Sequence, residues 1–81
     1  MPRLFFHLIN QTGRLADDEG QDVPLGEAKA RAIREIRSVL AEELKSGTLD
    51  LRGRIEVENE AGQTLVVVPF PEAITLLGAD K

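Results

Sequence analysis

Apolar residues occupy nearly every position of RLFFHLIN, residues 3–10. As a strand this segment turns Leu4, Phe6 and Leu8 to one side and Phe5, His7 and Ile9 to the other, so neither side is made for water. Asn10-Gln11-Thr12-Gly13 supplies the chemistry of a reversal, and Arg14 to Asp17 then reads as a short second strand. Asp17-Asp18-Glu19-Gly20-Gln21-Asp22 is a polar loop leading to Val23-Pro24, which marks the approach to a helix. From about Glu27 to Lys45, the residues Ala28, Ala32, Ile33, Ile36, Val39, Leu40 and Leu44 recur at helical spacing and predict an amphipathic helix. Glu27 suits its positive end and Lys45 its negative end, Gly47 suits the stop, and Gly26 is an acceptable N-cap.

Beyond a linker, Thr48 to Gly53, the pattern changes to strict alternation in Arg54-Ile55-Glu56-Val57-Glu58, a strand with one wet side. Asn59-Glu60-Ala61-Gly62 fits a type I turn closing a three-residue hairpin loop with a bulge, and the returning strand is Gln63 to Phe70. Pairing Asn59 with Gln63 sets Val57 beside Leu65 and Ile55 beside Val67; a two-residue loop would exchange the faces of one strand. The fold expected is α+β: a four-stranded sheet with one long helix on one face, in the order strand, strand, helix, strand, strand. The two strands that are apolar on both sides are expected in the middle, giving the spatial order 2-1-4-3.

In that arrangement the helix covers Ile55, Val57, Leu65 and Val67, joined by Leu4, Phe6 and Leu8. Phe5, His7, Ile9, Val66, Val68 and Phe70 form a connected patch on the reverse face, larger than a monomer leaves in water. Either the tail, residues 71–81, folds back over it with Ile74, Leu76 and Leu77, or a second subunit packs there. A homodimer through the sheet face is the simpler solution for a chain of 81 residues, which forms one small domain with a marginal core.

Composition narrows the chemistry further. The absence of cysteine removes disulfides, thiolate metal sites and thiol nucleophiles, and suits a reducing cytoplasm. The start lacks the pattern of a signal peptide or a membrane span. With 42% hydrophobic and 30% charged residues the chain is globular, and its net charge of −4 disfavours a general affinity for nucleic acid or anionic membrane.

Met1-Pro2-Arg3-Leu4-Phe5-Phe6-His7-Leu8, Asp18-Glu19-Gly20, the alanine- and arginine-rich helix, Gly53-Arg54-Ile55-Glu56-Val57 and Val67-Val68-Pro69-Phe70 together resemble a family of short bacterial proteins of unknown function. The likeness covers nearly the whole chain. Its most specific pieces are the Pro-Arg-Leu-Phe-Phe-His start and the Val-Pro-Phe near the end. Where the family's helix usually begins with proline, aspartate and leucine, this chain has Pro24-Leu25-Gly26. The resemblance implies a fold and a bacterial cytoplasmic setting, and no activity.

His7 is the one conventional general base near neutral pH, and no nucleophile or orienting partner is linked to it by a motif, so a structural or interface role is expected and catalysis is not. The acidic run Asp17, Asp18, Glu19, Asp22 fails as a calcium loop: aligning Gly20 with the loop glycine places Leu15 and Gly26 at the two essential ligand positions. Lys29, Arg31, Arg34 and Arg37 stand against Glu35 alone within residues 29–37, a local balance of +3. Without stacking aromatics or a recognised motif, the Arg31/Arg34/Arg37 stripe reads as a solvated helix face. The expected function is a non-enzymatic interaction or regulatory module with no cofactor and no metal. The alternatives are a ligand pocket around Phe5, His7 and Phe70, or a nucleic-acid-associated regulator using the arginine stripe.

Overall fold

A computed structural model describes residues 2–78. It contains strands β1 (Arg3–Asn10), β2 (Gly13–Leu15) and β3 (Gln21–Asp22), helix α1 (Ala28–Leu44), and strands β4 (Arg54–Glu58) and β5 (Thr64–Pro69). Single 3₁₀ turns at Leu25–Glu27 and Phe70–Ala73 precede the helix and follow the last strand. The fold is α+β, one long helix against an antiparallel sheet, in the expected order along the chain, with β3 an additional two-residue strand.

The helix forms where its apolar spacing places it. Ala28, Ala32, Ile36 and Leu40, each four residues after the last, are its buried stripe. They pack with Leu4, Phe6, Ile55, Val57, Val68 and Phe70 in one core, where a side chain the size of Ile36 contributes on the order of 2 kcal/mol by leaving water. The last turn tightens, and Gly47, at a φ of +90°, donates its N–H to the Leu44 carbonyl at 2.9 Å. No side chain caps the first turn; the 3₁₀ turn leads directly into the helix.

The sheet departs from expectation in its order. Neighbours run β2-β1-β4-β5, with β3 also beside β1, so the alternating strand Arg54–Glu58 is central and the doubly apolar returning strand lies at the edge. The helix covers one face only, and an antiparallel strand with one wet face fits the middle of such a sheet. Glu56 and Glu58 of β4 find partners on the open side, Glu56 with Arg54 and Glu58 with His7 and Arg14.

The hairpin register also departs, for a local reason. The turn forms as expected: Asn59 N–H donates to the Gln63 carbonyl at 3.0 Å, and Asn59 Oδ1 accepts from the Ala61 and Gln63 amides. Glu58 then pairs with Thr64, but Val57 pairs with Val66 and Ile55 with Val68, because Leu65 is the extra residue of a bulge. One inserted residue turns the rest of the strand over. Val66 and Val68 therefore face the helix, and Leu65 and Val67, expected in the core, are 39% and 47% exposed.

Gly53 closes this end of the core. The Phe70 N–H donates to its carbonyl, and the Phe70 ring lies so close that a Cβ on Gly53 would stand 2.6 Å from a ring carbon. The described part of the tail, residues 71–78, packs on the helix side and does not cover the reverse face. Ala73 is buried, Ile74 packs against the core, and Glu72 and Ala73 meet Lys29 and Arg37 of the helix. Leu76 and Leu77 are exposed, and residues 79–81 of the expected tail lie outside the described residues.

Candidate functional site

His7 sits in the middle of β1 on the open face of the sheet, directly across from Glu56, and is 7% exposed. What covers it is the segment Ala16–Gly20, which connects β2 to β3. These strands pair with the two ends of β1, and between them the Phe6 N–H would be left without a partner. Asp17 fills the gap: its Oδ2 accepts the Phe6 N–H at 3.1 Å, while its Oδ1 accepts the amides of Glu19 and Gly20. The expected second strand stops at Leu15 rather than Asp17 because Asp17 is the pivot of this turn.

His7 holds the same segment from the other side. Its Nδ1 accepts the backbone N–H of Asp17 at 3.0 Å, so Nδ1 carries no proton in this arrangement and Nε2–H donates to Glu58 Oε1 at 3.2 Å. The second oxygen of Glu58 meets Arg14 from β2 at 3.5 Å. Burial pushes the Asp17 carboxyl up, but the amide donors of Gly20, Phe6 and Glu19, with His7 nearby, outweigh it and hold the carboxyl below its ordinary value. Gly20, at a φ of +75°, packs its backbone so tightly over Arg3 and Phe5 that a Cβ there would lie 2.9 Å from the Phe5 ring. Arg3 completes the closure by donating to the Glu19 carbonyl and pairing with Asp22.

Both ring nitrogens of His7 are thus engaged within the chain. The lone pair of Nδ1 is committed to a backbone amide, and no hydroxyl is among the partners of either nitrogen. Among the described residues no group of three or more His, Asp or Glu side chains is placed to hold a metal ion.

The six residues expected on one apolar patch do not share a face. Phe5, His7 and Ile9 lie on the open side, whereas the bulge sends Val66 and Val68 to the helix side, where Phe70 is also buried. Phe5 and His7 lie on the opposite sheet face from Phe70, so the three do not frame one pocket, and three clefts among the described residues are lined by other side chains. The arginine stripe is divided as well. Arg31 donates to Gln21 Oε1, Arg37 donates to the Ala73 carbonyl at 2.7 Å, and Arg34 is exposed with no hydrogen bond or ion pair among the described residues.

Sequence reasoning missed Asp17 as the residue organising the site, although Asp17-Asp18-Glu19-Gly20 carries the same signal as Asn59–Gly62: an Asx residue followed three positions later by glycine.

Fold and cluster together define a small α+β domain with one covered and one open sheet face, the open face organised around a histidine whose hydrogen bonds are satisfied internally. The chain belongs to the family described as "Domain of unknown function (DUF6894)", whose model matches residues 3–71. No curated protein and no solved structure matches it.

Proposed function

We infer that the protein is a small non-enzymatic interaction or regulatory module that acts as a homodimer through its sheet, on the side bounded by β5. The observation that carries this reading is the character of that strand. Thr64-Leu65-Val66-Val67-Val68-Pro69 has no charged residue, lies at the sheet's edge, and exposes Leu65 and Val67, the latter on the open face opposite Glu56. Since Phe70 N–H bonds to Gly53, the alternation of an antiparallel ladder gives the inward bonds to Val66 and Val68 and turns the N–H and C=O of Val67 outward. Apart from the β4 ladder, no backbone partner reaches Val67 among the described residues. An uncharged edge of this kind invites a second strand, and an antiparallel strand can pair with its own copy about a two-fold axis. The cysteine-free composition suits a cytoplasmic setting for such a module.

Sedimentation at micromolar concentration should give about twice the monomer mass of 8.9 kDa. Val67→Lys places a charge on the edge and should give a folded monomer. A wild-type protein that sediments as a monomer at all concentrations, or a Val67→Lys dimer, overturns the reading.

A further inference from the structure

We propose that His7 is a proton-operated latch that holds the Ala16–Gly20 segment against β1 when neutral and releases it when protonated. The inference does not rest on self-association; it follows from the direction of two hydrogen bonds. Nδ1 accepts the Asp17 N–H, and a protonated Nδ1 would set one donor against another at a distance of 3.0 Å. One of the two must move. Nε2 is held by Glu58, and protonation strengthens that contact by making it a charged pair.

The other charged groups facing the ring favour keeping it in place. Glu56 lies across from it on β4, and Arg14 of β2 reaches it only through Glu58. Asp17, Asp18 and Glu19 are carried by the segment itself, and Arg3 and Arg54 are engaged with Glu19 or Asp22 and with Glu56. The Asp17 carboxylate attracts a charged ring and opposes release, so it is the two opposed donors at Nδ1 that, while the ring stays with Glu58, displace the Asp17 amide. With it go the carboxylate that fills the gap at Phe6 and the Gly20 backbone that covers Phe5. The Asp17 carboxyl is held below its ordinary value, so it stays ionised near neutral pH and does not itself release the segment there.

The test uses the full chain, in which His7 is the single histidine, so nitrogen NMR of the imidazole reports its tautomer and protonation without ambiguity. At neutral pH the spectrum should show the Nε2–H tautomer. As the ring takes its proton, hydrogen-exchange protection at the Asp17, Gly20 and Phe6 amides should fall about fivefold or more, the change expected from losing one backbone hydrogen bond, while Val57 and Val66 keep theirs. His7→Asn sets a non-titrating carbonyl oxygen near the position of Nδ1 and should hold protection at these amides constant across the same interval. Protection that is unchanged while the wild-type ring titrates overturns the proposal, as does an equal loss in β4 and β5 or the same pH dependence in His7→Asn. If His7→Asn does not fold, the wild-type comparison of segment and core amides decides alone.

Discussion

Two residues show how single atoms set this structure. Gly53 has no side chain because the Phe70 ring and the Ile9 carbonyl occupy the space, at 2.6 Å and 2.8 Å from where a Cβ would stand. Gly53→Ala should therefore destabilise by about 1–3 kcal/mol through overpacking, read as a lower urea midpoint with an unchanged slope. Asp17 acts through its charge. Its carboxyl is held below the ordinary value in the folded chain, so the stability it supplies is fully present above its unfolded value of about 3.9 and is lost as pH falls through the folded value. Asp17→Ala leaves the Phe6 N–H without its acceptor and should cost about 1–3 kcal/mol at neutral pH. Equilibrium denaturation of both proteins between pH 6 and 2.5 checks the sign: the difference should shrink as the wild-type carboxyl protonates. A constant difference would mean that the side chain contributes by packing alone.

At the scale of elements, the parts legible in the sequence are those whose signal is local and repeated. The helix from Ala28 to Leu44 follows from four turns of apolar spacing, and the Asn59–Gln63 turn follows from an Asx residue and a glycine at fixed distance. The position of β4 was hidden because alternation reads as an edge only if both faces of the middle are covered, and here one face is open. The face of β5 was hidden because Leu65-Val66-Val67-Val68 has no alternation to reveal a bulge; with four apolar residues in a row, either register buries two of them. The open-face cluster combined both problems, since Asp17 is ten residues from His7 and Glu58 is fifty-one. Lysine substitutions separate the two registers directly. Val67→Lys should change stability by no more than about 0.5 kcal/mol in the monomer, whereas Val68→Lys buries an unpaired charge and should cost more than about 3 kcal/mol. Thermal melts with the reverse ranking would restore the register without a bulge.

For the whole molecule, charge and burial argue about partners in different ways. Ten basic residues against fourteen acidic ones give a net charge of −4, and two arginines of the helix stripe are committed to Gln21 and to the Ala73 carbonyl. Neutralising several phosphates at once would require more than the three arginines of this stripe, two of them held in place by neutral acceptors, on a chain with an acidic excess. Labelled duplex and single-stranded DNA at moderate salt should bind no more tightly than roughly 10⁻⁵ M; tight, salt-sensitive binding lost in the Arg31→Ala, Arg34→Ala double variant would reverse this ranking. The open sheet face bears on the self-association proposed above. Among the described residues there are one α-helix, a single covered sheet face and a core of twelve buried apolar side chains, and a chain of 81 residues without cysteine has little further burial to draw on, so edge pairing would register in its stability. If folding is coupled to dimerisation through β5, the native state is favoured by mass action, and the melting temperature rises with protein concentration. Melts over about a hundredfold range of concentration should show that rise for the wild type and none for Val67→Lys, whose edge is charged. A wild-type melting temperature that does not move with concentration would leave the open face and the β5 edge in water, and the self-associating reading would fall while the fold and the His7 latch stood.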